Sequence, residues 1–290
     1  MPVRVVESKQ NARLKELRRA LASPGSAGGL VGIEGPNLLE EALRAGLRVA
    51  TVFVAQGSER LFDLLSLLPE TEILRLPRKL LDSALATETP QPIAALVEPP
   101  NWTWADLLGG PQETAPLVVV LVGLQDPGNL GTILRSAEAF GATGVISLPE
   151  TVSAWNPKAV RASAGSVFRV PLLAAGEKEC LQRLRQAGVK IFTTTARAAR
   201  PADLVDMAGP AALLIGNEGN GVPEQIARQA DGAITIPCPG PVESLNAAIA
   251  ASVLLYEAAR QRAAGCPVLA ASSAARVGAQ PHNPPKRSAR

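Results

Sequence analysis

Apolar and polar positions alternate along this chain with two different periods. In residues 1–20, leucines recur at helical spacing up to Leu21 (Leu14, Leu17, Leu21) with Arg and Lys between them, which predicts a short amphipathic helix. The Gly/Ser-rich run SPGSAGG (23–29) then breaks the chain. LVGIE (30–34) reads as a strand, and Pro36 opens a helix that Gly46 stops. VATVFV (49–54), TEILRL (71–76) and PIAALVE (92–98) are further strands, with a Leu-rich helix over 59–68. These elements predict a small α/β domain over 30–98, behind a basic extension at 1–29.

Residues 98–116 are rich in Pro and Gly and aperiodic, so a linker is expected over 99–116. Trp102 and Trp104 within it can pack on a domain surface or stack on a nucleic-acid base; packing is the favoured reading. Beyond it, strands are predicted at 117–122, 144–148, 189–194, 211–215 and 233–236. Helices are predicted at 129–140, 178–187, 222–229 and 244–262. Strands separated by helices imply βαβ units and a largely parallel sheet, so a second domain is expected over 117–264. Ligands of such sheets bind beyond the carboxyl ends of the strands. Residues 265–290 carry few large hydrophobics and read as a disordered basic tail.

Composition narrows the chemistry. The 290 residues are 47% hydrophobic but only 3% aromatic, so Ala, Leu and Val must fill the cores. No apolar run approaches the roughly 20 residues that span a bilayer, and the N-terminus has no secretory core. Cys180, Cys238 and Cys266 form no paired motif, which favours a reducing, cytoplasmic setting over a disulfide framework. The single histidine, His282, lies in the tail, so a Ser-His-Asp triad or a histidine-rich metal centre in the core is excluded; no metal is expected. Net charge is only +3, yet residues 1–20 hold six Lys/Arg against two Glu, and residues 265–290 hold four Lys/Arg and no acid. Basic ends on a mildly acidic body suit a polyanionic partner, or are simply solvated termini.

Three loops carry the candidate chemistry. After LVVVLVG comes DPGNLGTILRSAEAFGA, where Asn129 can cap a helix and Arg135 points off its apolar face, open to a surface pair with Glu138. After AALLI comes GNEGNGVPE, with Gly216, Asn217, Glu218 and Asn220 in a G-x-x-G-x-G spacing that is neither a P-loop nor a dinucleotide fingerprint. An acid in mid-loop repels a pyrophosphate and suits a cation. After AITI comes PCPGPVESLNAAIAASVLLYEAAR, whose prolines stiffen the exit, with Ser244 placed to cap the helix and Asn246 in its first turn. Each loop alone passes for an ordinary turn; together they suit backbone recognition of a nucleoside-like ligand.

In this order the three segments resemble the motifs of the SpoU/TrmH-type RNA ribose 2′-O-methyltransferases of the SPOUT superfamily, over residues 117–262. GIEGPNLLEEALRAG and TETPQPIAALVE resemble the ribosomal-protein-like substrate-binding domain that often precedes them. The resemblance implies an α/β fold with a trefoil-knotted SPOUT catalytic domain, a homodimer through that domain, and S-adenosylmethionine as methyl donor. It implies catalytic roles for Arg135, Asn129, Glu218, Ser244 and Asn246. Cofactor contacts fall on Thr194, Thr195, Gly216, Asn217, Ile236 and Leu245. RNA contacts fall on Lys158, Arg161 and Arg169 in a loop and strand over 155–169, with Lys9 and Arg13 at the N-terminus. Ribosomal RNA, a 23S-type guanosine or similar, is the expected substrate ahead of transfer RNA. A non-catalytic RNA binder with a degenerate site, and a nicotinamide-dependent oxidoreductase, are the alternatives; the glycine spacing disfavours the second.

Overall fold

The computed structural model describes residues 3–22, 29–63, 67–85, 87–109, 115–196 and 199–264. The tail expected at 265–290, with His282 and Cys266, lies outside the described residues, as does the break at 23–29 except for Gly29.

The first unit runs β1 (Val3–Val5), α1 (Ala12–Ala22), β2 (Val31–Glu34), α2 (Pro36–Arg44), β3 (Val49–Ala55), α3 (Arg60–Asp63), β4 (Glu72–Leu76), α4 (Arg78–Asp82) and β5 (Ile93–Val97). Its five strands lie in the order β1-β4-β3-β5-β2, parallel across β1, β4 and β3 and antiparallel at β5. The N-terminal segment is therefore not a separate extension. Val3 pairs with Ile73, and Leu14, Leu17 and Leu21 of α1 are buried against Phe53, Leu74, Leu76 and Leu96. Burying a leucine fully stabilises by about 1.5–3 kcal/mol, enough to hold a basic helix against the sheet.

The second unit runs α5 (Trp104–Gly109), β6 (Leu117–Val122), α6 (Pro127–Ala139), β7 (Gly144–Ser147), α7 (Pro157–Ser163), β8 (Leu172–Ala174), α8 (Glu177–Gln186), β9 (Lys190–Thr194), β10 (Arg200–Pro201), β11 (Ala211–Gly216), α9 (Glu224–Ala227), β12 (Gly232–Thr235) and α10 (Ala247–Ala264). The seven strands form an all-parallel sheet in the order β10-β12-β9-β11-β6-β7-β8. Period-two alternation sends neighbouring residues of β6 to opposite faces. Leu117, Val119 and Leu121 join Ile133 and Leu134 of α6 and Leu254 and Leu255 of α10, whereas Val118, Val120 and Val122 join Leu181 and Leu184 of α8. Helices α6 and α10 thus share one face of the sheet. Helix α7 packs hard on α6: a Cβ at Gly131 would lie 2.4 Å from the Ala159 carbonyl and 2.5 Å from the Ala162 Cβ.

Two expectations over this region change. Part of the linker is a helix, α5, on which Trp104 packs against the second core with the Arg183 guanidinium 5.8 Å from its ring. The basic stretch over 155–169 is not a loop and strand but α7 followed by a 3-10 turn at Ser166–Phe168. Asn156 caps α7 by accepting from the Lys158 N–H, and Pro157 takes the first helical position.

The end of α10 is bolted down by two polar side chains. Buried Gln261 accepts from the Met207 N–H at 2.8 Å and donates to the Val205 carbonyl at 3.1 Å. Arg262 donates to the carbonyls of Ala115, Pro116, Met207 and Gly209. Burial lowers its pKa below the ordinary arginine value. No helix among the described residues is long and apolar enough to cross a membrane.

Candidate active site

Because every strand pair is parallel, the ends of β6, β11, β9 and β12 open on one edge of the sheet. Leaving β6, Gly123 takes a left-handed φ of +65°, which glycine adopts without the cost of a side chain. Asp126 then caps α6, its Oδ1 accepting from the Asn129 N–H at 2.8 Å, with Pro127 at the first helical position. Asn129 was expected to be that cap. It stands inside the first turn instead, which frees its side chain.

The loop after β11 closes on itself. Asn217 and Gly221 exchange both backbone hydrogen bonds, at 3.1 and 2.9 Å, and the Asn217 Nδ2 donates to the Gly123 carbonyl at 2.9 Å. Gly216 has to be bare, since a Cβ there would meet the Gly221 carbonyl carbon at 2.1 Å and the Val222 nitrogen at 2.3 Å. Helix α10 begins at Ala247, capped by Asn246, whose Oδ1 accepts from the N–H groups of Ala248 and Ile249 at 2.9 and 3.2 Å. The capping role expected of Ser244 thus belongs to Asn246.

Freed Asn129 joins the other two loops. Its Nδ2 donates to the Glu218 Oε1 at 2.9 Å, and its Oδ1 accepts from the Asn246 Nδ2 at 3.0 Å. One amide chain, ending on a carboxylate, therefore runs Asn246 to Asn129 to Glu218, across sequence separations of 117 and 89 residues. Desolvation pushes the Glu218 pKa up, but hydrogen bonds from Asn129 and from the backbone N–H groups of Glu218, Asp126 and Gln125 outweigh it and hold the pKa below the usual glutamate value. Asp126 is lowered by the Lys158 ammonium, 3.0 Å away, and by the Asn129 N–H.

The remaining expected residues fall as follows. Thr194 ends β9, its hydroxyl donating to the Leu214 carbonyl at 2.8 Å, and the Thr195 N–H donates to the Ile234 carbonyl at 3.0 Å. Ile236 and Leu245 are half-buried and Ser244 is exposed. Arg135 is exposed on α6, about 120° round the helix from Asn129 at 100° per residue, and takes no part in the hydrogen bonds of the amide chain. Among the described residues it has no hydrogen-bond or ion-pair partner; Glu138, its expected partner, is held by Arg169 instead. Two expected RNA contacts are engaged elsewhere. Arg169 spans Glu138 and Glu41, and Arg13 spans Glu16 and Glu72. Lys9 and Arg161 are exposed, and Lys158 remains largely exposed beside Asp126. Asp126 itself was missed, although Asp-Pro before an apolar period is a helix-start signal.

The family model described as "SpoU rRNA Methylase family" matches residues 116–256, and that for "RNA 2'-O ribose methyltransferase substrate binding" matches residues 33–103. An "Uncharacterized tRNA/rRNA methyltransferase" of Mycolicibacterium vanbaalenii is 36% identical over 237 residues, 79% of this chain and 76% of the relative. The chain belongs to the SpoU methyltransferase family. Among SpoU relatives, the Bacillus subtilis 23S rRNA (guanosine(2553)-2'-O)-methyltransferase RlmP is 34% identical over 226 residues, 77% of this chain and 86% of that one. The SpoU methyltransferase AviRb from Streptomyces viridochromogenes, solved with AdoMet, superposes with a TM-score of 0.78 at 30% identity, covering 88% of this chain and 99% of that one.

The site fits S-adenosylmethionine, the methyl donor of the family. The edge where β6, β11, β9 and β12 end offers backbone groups, a glycine that admits no side chain and, on the same loop, an acid held below its ordinary pKa. That set opposes a pyrophosphate and suits a compact cationic nucleoside.

Proposed function

We propose that this SpoU enzyme methylates a ribose 2′-hydroxyl in ribosomal RNA, a 23S-type guanosine or similar, and that the amide chain through Asn129 organises the site. That chain is the observation that carries the reading: it joins the three loops that family resemblance marks, through an Asn129 side chain that the cap of α6 leaves free.

S-adenosylmethionine, when bound, supplies a methyl already activated by sulfonium charge. The protein's task is then chiefly orientation of the hydroxyl. We assign donor contacts to Thr194, Thr195, Gly216, Asn217, Ile236 and Leu245, largely through backbone. Arg135 holds the RNA phosphate beside the reacting ribose. A guanidinium holds its proton too tightly to serve as a base, so the phosphate assists in taking the hydroxyl proton. Ser244, exposed at the rim, orients the ribose. Asn129, Glu218 and Asn246 keep the rim in register. Lys158, Arg161 and Lys9 remain the phosphate contacts along the RNA path.

We further place the catalytic domain in the trefoil-knotted class and in a homodimer. Support for the first is the return of α10 onto α6 and its anchoring to residues 115–116 and 205–209. Support for the second is an apolar stripe on α10, where Ile249, Val253 and Tyr256 are 54%, 40% and 55% exposed at helical spacing. A cytoplasmic setting accords with the free thiols of Cys180 and Cys238. The test is transfer of a tritiated methyl group to purified 23S rRNA, 16S rRNA and tRNA, followed by nuclease digestion. A 2′-O-methylated nucleoside from 23S rRNA alone is the expected result; label on a base, or on tRNA alone, overturns the assignment.

A further inference from the structure

Arg169 lies on the connection to β8, outside the amide chain, yet it is the most heavily engaged cation near α6. Its Nε and Nη2 grip both oxygens of Glu138, at 2.5 and 3.2 Å, and its Nη1 reaches Glu41 of α2 at 2.6 Å. The first unit is drawn close here: a Cβ on Gly165, whose φ is +90°, would come within 2.7 Å of the Glu41 Cβ. All three side chains are only a quarter to a third exposed. Hydrogen bonds from Arg169 and Ser166 hold the Glu138 pKa below the usual value, and donating to the Glu138 and Glu41 carboxylates raises that of Arg169.

Glu138 is three residues beyond Arg135 on the same helix. Residues at that spacing sit side by side, close enough for an arginine and a glutamate to pair. The isolated sequence of α6 therefore favours an Arg135–Glu138 pair, and the fold prevents it by supplying a second guanidinium with better, two-pronged geometry. We propose that Arg169 is a positioning residue for methyl transfer: by sequestering Glu138 it leaves Arg135 free to take an RNA phosphate. Its third donor, bound to Glu41, ties the same guanidinium to the substrate-binding unit. The inference rests on the assignment of Arg135 to the reaction.

The test uses the full chain and single-turnover methyl transfer at saturating RNA, with donor affinity measured by calorimetry. Arg135→Ala is the control, and its failure to lose activity removes both this inference and the assignment beneath it. Arg169→Gln is expected to slow transfer about fivefold, the factor that about 1 kcal/mol of ion pairing gives, with donor affinity unchanged within twofold. Adding Glu138→Gln to Arg169→Gln returns the rate to within twofold of wild type, because nothing is left to capture Arg135. A residue serving only to hold the domains together predicts the opposite: the double variant no faster than Arg169→Gln. That outcome, with Arg135→Ala inactive, refutes the inference and leaves the Arg135 assignment standing. Glu138→Gln alone keeps the wild-type rate; a tenfold loss in that variant, correctly folded, also refutes the inference, even if the Arg169 variants do not fold.

Discussion

Consider the single methyl group added by Gly216→Ala. Its Cβ would lie 2.1 Å from the Gly221 carbonyl carbon and 2.4 Å from the Gly221 oxygen. Carbon atoms rest at about 3.5–4.0 Å, so the backbone must separate by more than about 1 Å. Both sides are pinned: Gly216 pairs with Val122 in β11, and Gly221 is tied to Asn217 by two hydrogen bonds. Straining the pair costs about 1–3 kcal/mol; opening the loop forfeits two bonds of about 1 kcal/mol each. The two routes together span a Tm loss of about 2–12 °C, at about 2–4 °C per kcal/mol for a unit of this size, and either one moves a wall of the proposed donor site. Calorimetric titration with S-adenosylmethionine should then show affinity at least tenfold weaker. Gly219→Ala is the internal control, because a Cβ there meets only the Asn217 Oδ1, at an ordinary 3.4 Å. Wild-type melting and donor affinity in Gly216→Ala, or equal damage from Gly219→Ala, would refute the close-approach reasoning.

Other consequences follow from the same geometry. Asn129→Ala removes both links of the amide chain and should cut methyl transfer at least tenfold while costing stability only about 1–2 kcal/mol; Asn129→Asp, which sets a second carboxylate against Glu218, should be worse, and wild-type turnover in either would detach the chain from catalysis. Asp126, Glu138, Glu218 and Glu257 all have folded pKa values below their ordinary ones. Their contribution is therefore complete above the unfolded carboxylate range of about 3.9–4.3 and disappears as pH falls through the lower folded values. Melting followed by circular dichroism should be insensitive to these groups between pH 7 and about 5 and should fall below about pH 4.5; Asp126→Asn should shallow that acid limb, and stability rising on acidification would contradict the assignment. Ile249→Lys puts a charge in the exposed α10 stripe and should yield monomers by sedimentation with little change in Tm.

Much of the fold is legible in the chain because its signals are local. Continuous apolar runs such as LVVVLV mark strands buried on both faces, and the three glycine- and proline-rich loops stand out after β6, β11 and β12. What escaped reading is long-range. The cap of α6 could have been taken from Asp126-Pro127, but only the fold shows that Asn129 then turns to Glu218 and Asn246. Arg169 reads as a free cation until partners 31 and 128 residues away are brought to it. The N-terminal residues read as a basic extension since the charges of α1 are local and the sheet covering its leucines is not. Ser244 and Asn246 are equally good caps by type, and only the fold shows that the helix starts at Ala247, directly behind Asn246.

The most direct measurement is a map of ribose 2′-O-methylation across ribosomal RNA from cells with and without this gene. The account predicts that one 23S position loses its methyl group, that the wild-type chain restores it, and that Arg135→Ala, though folded and able to bind the donor, does not. An unchanged map on deletion, or full restoration by Arg135→Ala, would contradict it.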